Sequence, residues 1–150
     1  MNCLTINTDA SFHPEHKVGG YAFYIICDLF KVQKGGMFKV QPKNSLEAEM
    51  MAIANAIYVA SKQKQYPKID LVVINSDCLI AFERIGKTKK DLLGRRIAFL
   101  LADLKKVTGY KKHEFRHVRA HSGAQDKRSF VNEWCDNEAK KWMKLSIPKK

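Results

Sequence analysis

Leu4-Thr5-Ile6-Asn7-Thr8-Asp9-Ala10-Ser11 alternates apolar and polar side chains, the period of a half-buried strand, and closes on an acid followed by small residues. Open α/β sheets bind their ligands in the crevice beyond the carboxyl ends of the strands, so Asp9 stands where a site is expected. Three later acids, each at the edge of its own element, are placed to converge on it. The rest of the chain reads as a sheet and helices that hold this cluster.

Gly19-Gly20 opens an apolar run, Tyr21 to Cys27, the strongest strand signal in the sequence. A turn near Asp28-Leu29 leads to a third strand, about Phe30 to Val40, where Gly35-Gly36 predicts a bulge or a second turn. Asn44 or Ser45 caps a helix that runs to about Lys62, with Leu46, Met50, Ile53, Ile57 and Ala60 as its apolar stripe. Ile69 to Ile74 is apolar enough for a central strand covered on both faces. A short helix follows from Ser76-Asp77 to Ile85, then a hinge at 86–90. The next helix spans about Asp91 to Val107, with Leu92, Ile97, Leu100, Leu101 and Leu104 inward, and Gly109 stops it. His113 to Val118 is a fifth strand, 119–129 a polar loop, and Val131 to Leu145 the last helix. This order predicts an α/β fold: a mixed five-stranded sheet, three antiparallel strands then parallel additions, with helices on both faces. At 150 residues the chain is expected to be a single domain, residues 1–150.

The charge balance narrows the partner. With 27 Lys+Arg against 15 Asp+Glu, the net charge is +12, which favours a polyanion, nucleic acid before membrane. No apolar run approaches the roughly 20 residues of a membrane span, so no membrane partner is expected. Met1-Asn2-Cys3 leads straight into a strand without a secretory-signal pattern. Cys3, Cys27, Cys78 and Cys135 form no C-x-x-C pair and read as free thiols, and a cytoplasmic location follows.

Asp9 ends the first strand and Asp77 follows the fourth; as parallel neighbours these strands put both carboxylates at one end of the sheet. The intervening helix offers Glu47 and Glu49. At about 100° per residue, Glu49 lies about 60° from the Leu46 direction on the small Ala52/Ala56 side, and Glu47 about 100° away on the other flank. Glu49 is therefore assigned to the cluster and Glu47 to solvent. Each acid alone also fits a turn, a helix cap, a first-turn helix charge (Asp136) or a surface position.

Together they form a pattern. Asp9-Ala10-Ser11, Gly19-Gly20-Tyr21, Asn44-x-x-x-Ala48-Glu49, Ser76-Asp77, and His121-Ser-Gly followed by Asn132-Glu133-x-Cys135-Asp136-x-x-Ala139 resemble the type 1 ribonuclease H family, in family order and over nearly the whole chain. The resemblance implies a four-carboxylate site, Asp9, Glu49, Asp77 and Asp136, that binds two Mg2+ ions, with Mn2+ as a possible substitute. It implies endonucleolytic cleavage of the RNA strand of an RNA–DNA hybrid. Apart from the resemblance, a monomer is expected. By family position Asp9 bridges both ions, Glu49 and Asp77 share one, and Asp136 holds the other. His121 matches the family's loop histidine, with a proton-transfer or product-release role. His13, His16, His113 and His117 carry no such reading. Ser11, Asn44, Ser45 and Cys78 are candidate substrate contacts. Lys87, Lys89 and Lys90, with Arg95 and Arg96, stand where relatives carry a basic handle, and read equally as substrate-binding or as a solvated helix entry.

The sequence departs from the family pattern at Ala10, at Cys78, in a longer 121–136 loop with Lys127 and Arg128, and at Leu46. Relatives carry there an asparagine that helps read RNA 2′-hydroxyls, and leucine offers no hydrogen bond. Two rivals stay in view: a DNA-directed nuclease or resolvase of the same fold, and a non-catalytic hybrid- or RNA-binding module.

Overall fold

The computed structural model describes residues 2–86, 91–118 and 127–149, the side chains of 127–129 excepted. Along the described residues the elements are β1 (Cys3–His13), β2 (Val18–Ile26), β3 (Lys31–Met37), α1 (Ser45–Ser61), β4 (Leu71–Ser76), α2 (Leu79–Gly86), α3 (Leu92–Thr108), β5 (Lys112–His117) and α4 (Lys127–Ser146). The sheet order is β3-β2-β1-β4-β5. β1, β2 and β3 pair antiparallel, whereas β4 lies parallel to β1 and β5 parallel to β4. This is the mixed five-stranded sheet the sequence predicts.

Alternation along β1 and β2 sends Leu4, Ile6, Phe23 and Ile25 into a core shared with α1, α2 and α3. The intervening Ala22 and Tyr24 meet Val131, Cys135 and Ala139 of α4 on the opposite face. α1 is capped by Asn44, whose Oδ1 accepts the Glu47 N–H at 2.8 Å. Ala48, Ala52, Ala56 and Ala60, spaced by four, are fully buried, as are Ile53 and Ile57. Burial over so much of its circumference follows from position: α1 packs against both the sheet and α3.

The structure corrects the sequence reading at several points. β3 stops at Met37, and Gly35-Gly36 form neither bulge nor turn: they stay in register opposite Ala22 and Tyr21. Their smallness serves packing. A Cβ on Gly35 would stand 2.7 Å from Trp142 Nε1 and from Glu138 Oε2, and one on Gly20 would stand 2.5 Å from Ala139 O. The smallness of Gly20 and Gly35 lets α4 lie directly on the sheet.

Leu92 is 79% exposed rather than inward, because it sits about 140° around the helix from Ile97. The buried stripe of α3 is Gly94, Ile97, Leu100, Leu101, Leu104 and Thr108, and Gly109 ends it at φ 70°. α4 begins at Lys127, inside the stretch read as loop. Its polar opening lacks the apolar period that betrays the helix from Val131 onward, and Asp136 consequently lies well inside the helix rather than in its first turn. Among the described residues no helix is long and apolar enough to cross a membrane.

Candidate active site

The site exists because two parallel neighbours differ in length. Pairing between β1 and β4 ends at Asn7 and Asn75, yet β1 continues to His13 against β2 alone. Past Asn7, the side of β1 that faced β4 has no strand to bond among the described residues. Glu49 reaches into this gap from α1, and its Oε1 accepts the Ala10 backbone N–H at 2.8 Å. Asp9 Oδ1 accepts the same N–H at 2.9 Å. A peptide N–H that is partly out of water needs a partner, and here two carboxylates supply it.

Asp77 enters from the residue just past β4. Asp9, Glu49 and Asp77 each offer an oxygen within 4.8 Å of the others'. Asp9 is 8% and Glu49 9% exposed, and Asp77 is half-buried. The Asp77 turn is pinned by short bonds: Ser76 Oγ accepts the Cys78 N–H at 3.1 Å, and Ser76 O accepts the Val118 N–H at 2.9 Å. His117 Nε2 lies 2.9 Å from the Asp77 carbonyl. This histidine has no role in the sequence reading. The pairing of Ser76 with His117 is the tertiary signal that finds it.

Electrostatics mark the cluster as unusual. Burial first, then the charges of Asp77 and Asp136, pushes the Asp9 carboxyl up to about 8. Burial followed by the Asp9 and Asp77 charges holds Glu49 well above the ordinary carboxylate range. Glu49 Oε2 is buried and accepts no hydrogen bond from the described residues. Asp136, on α4, is close enough to act on Asp9 electrostatically but stands outside the three-oxygen group. Its Oδ2 is held by Lys140 Nζ at 2.8 Å. Oxygen donors only, a buried oxygen lacking a donor and mutually repelling acids fit a hard divalent cation.

The RNase H family pattern matches residues 1–144. The chain belongs to the RNase H family. Among solved structures, RNase H1 from the halophilic archaeon Halobacterium salinarum NRC-1 shares its fold at 15% identity and a TM-score of 0.66, over 96% of this chain and 99% of that one. LC11-RNase H1, solved in complex with an RNA/DNA hybrid, matches at 12% identity and a TM-score of 0.67, over 97% and 99% of the two chains. The N-terminal RNase H domain of a Mycobacterium tuberculosis protein, a maltose-binding-protein fusion, matches at 12% and 0.63, over 97% and 96%. No curated protein sequence matches.

Within this RNase H family member, the remaining candidates stand outside the three-acid group or outside the described residues. Ser11 is half-buried on β1 opposite Gly20, and Asn44 and Ser45 are exposed at the start of α1. Leu46 packs partly into the core. The Cys78 thiol is half-buried and pushed up chiefly by burial. Arg95 and Arg96 are exposed on α3, whereas His121, Lys87, Lys89 and Lys90 lie outside the described residues. Glu47, assigned to solvent, is half-buried; its Oε1 accepts the Lys43 N–H at 3.2 Å, as part of the helix entry.

Proposed function

We propose that this chain is a metal-dependent endonuclease that hydrolyses the RNA strand of RNA–DNA hybrids, with residues 1–150 forming one catalytic domain. The observation that carries the reading is the Asp9–Glu49–Asp77 cluster, with Asp9 and Glu49 buried and a Glu49 oxygen that has no donor among the described residues, at the carboxyl end of two parallel strands in an RNase H fold. Asp9, Glu49, Asp77 and Asp136 would hold two Mg2+ ions, Mn2+ substituting. Bound there, the pair supplies a water of lowered pKa and charge neutralisation at the phosphate and leaving oxygen.

The chain's own groups do the rest. The Ala10 N–H orients Asp9 and Glu49 toward each other, so their lone pairs are arranged before any cation arrives. Asp136, paired with Lys140, offers a fourth carboxylate from the facing helix. His121 takes or delivers a proton beside the cleaved phosphate, or speeds product departure. Ser11, Asn44, Ser45 and Cys78 line the approach, and Lys87, Lys89 and Lys90 hold phosphates of the hybrid. A net charge of +12 supplies the attraction that an acidic site alone would oppose. The reading includes a monomer in a reducing, cytoplasmic setting, which suits four free thiols.

Two alternatives are separable. Leu46 presents no hydrogen-bonding group to a ribose, which favours a DNA-directed nuclease as the second reading. A binding module without catalysis gains nothing from buried carboxylates that repel phosphate. A labelled hybrid, an all-RNA duplex and an all-DNA duplex, each incubated with Mg2+ and with chelator, separate the three. The expected outcome is chelator-sensitive cutting of hybrid RNA well above the others. Comparable cutting of duplex DNA moves the chain to the second reading, and binding without cutting to the third.

A further inference from the structure

At the open end of the parallel half of the sheet, β4 and β5 run out together. Their last paired residues are Ser76 and His117, and the Val118 N–H closes the ladder on Ser76 O. Asp77 comes next, in a bend that the β4–β5 ladder no longer reaches. Its carbonyl points back across the strand pair to His117 Nε2, 2.9 Å away. A carbonyl oxygen only accepts, so the imidazole presents N–H at Nε2.

We propose that His117 is a positioning residue for the candidate site: its ring N–H clamps the Asp77 peptide and thereby aims the Asp77 carboxylate at Asp9 and Glu49. The inference rests on reading the three acids as a metal site. Asp9 and Glu49 are oriented by the Ala10 N–H, but Asp77 is placed by the turn that carries it. Among the described residues that turn has three ties: Ser76 Oγ fixes the Cys78 side, the Val118 N–H fixes Ser76, and the His117 ring grips the Asp77 carbonyl. Strand alternation explains the fit: the Ser76–His117 pairing sets the ring beside the end of β4, within reach of the next carbonyl. Releasing the clamp frees rotation of the Asp77 peptide, and the carboxylate then leaves the position from which all three acids meet within 4.8 Å. The consequence falls on metal affinity rather than on hybrid affinity.

The test uses the full chain with His117→Ala and His117→Gln, titrated with Mn2+ alone and read by unfolding temperature, then with Mn2+ and labelled hybrid. Orienting partners of metal ligands are worth about 10- to 100-fold in affinity, and an exposed clamp on a peptide acts at the lower end. His117→Ala should require about 10-fold more Mn2+ for half of the metal-induced rise in unfolding temperature and for half-maximal cleavage. KM for the hybrid at saturating metal should stay within about twofold. His117→Gln, whose amide keeps an N–H donor, should recover most of the loss. A purely packing role would lower the metal-free unfolding temperature and leave the Mn2+ half-points unmoved; that result overturns the clamp alone, as does a Gln variant no better than Ala. Wild-type protein whose unfolding temperature ignores Mn2+ overturns the metal-site reading and the clamp with it.

Discussion

Glu49 and Ala10 are joined by a 2.8 Å bond between a carboxylate oxygen on a helix and a peptide N–H on the unpaired flank of the first strand. That bond ties the helix entry to the strand end and leaves the other Glu49 oxygen buried without a donor among the described residues. The local design is costly without a cation, because three acids share one desolvated spot.

Removing one charge from the cluster should abolish function while relieving that cost. Asp9→Asn, Glu49→Gln and Asp77→Asn are each expected to lower hybrid cleavage at least about 1,000-fold, on the order of 4 kcal/mol of transition-state stabilisation. Hybrid binding at low metal should persist. Glu47→Gln keeps an oxygen to accept the Lys43 N–H and should cut at close to the wild-type rate. A Glu47 variant as damaged as the Glu49 variant would place the wrong helix flank in the site.

Metal-free stability should fall as pH rises. Folded Asp9 keeps its proton up to about 8 against 3.8 for the unperturbed group, so between these values the folded state binds more protons than the unfolded one. Stability is then greatest at the acid end of the window and is lost toward pH 8, with a limiting slope of about 1.4 kcal/mol per pH unit. Glu49 shifts in the same direction. Thermal melts in chelator from about pH 5 to 9 should show the decline, Asp9→Asn should flatten it, and Mn2+ should reverse it at the alkaline end. A melting temperature that climbs across this range in chelator would contradict this account.

Gly20 should tolerate no side chain. An added Cβ would meet backbone of α4, which cannot rotate away, and overpacking of this kind costs about 3 kcal/mol. At Gly35 the neighbours are the ends of Glu138 and Trp142, which can shift, so Gly35→Ala should cost about 1 kcal/mol. Denaturant melts of the two variants decide it. Equal losses would mean that α4 is held less closely at β2 than these distances require.

The salt dependence of hybrid binding should reveal whether the basic stretch Lys87, Lys89 and Lys90 touches phosphate. Changing Lys87, Lys89 and Lys90 together to Gln should weaken binding and flatten the log-affinity against log-salt slope by about 0.9 for each phosphate no longer neutralised. Maximal turnover at saturating hybrid should be nearly unchanged. A slope identical to wild type assigns the segment to solvent and moves the hybrid elsewhere.

Much of this molecule is legible in one dimension because its signals are local. Alternation at Leu4–Ile6 and the apolar run at Tyr21 mark strands, the Asn44 cap and the 3.6-residue period mark α1, and Gly109 at φ 70° is a helix stop that only needs its own backbone. Helical spacing also distinguishes Glu49 from Glu47, and the folded chain buries the former more deeply. What the tertiary structure alone decided depends on residues far apart in sequence. Gly35 reads as a bulge until α4, roughly a hundred residues later, is laid across it. His117 reads as one histidine among five until β5 pairs with β4 and brings its ring to Asp77. The high pKa of Asp9 has the same origin: no local pattern encodes it, because it arises from burial and from charges delivered by Asp77 at the end of β4 and Asp136 on α4. Propensity and periodicity act over a few residues, whereas proximity, desolvation and close packing are set only when the sheet closes.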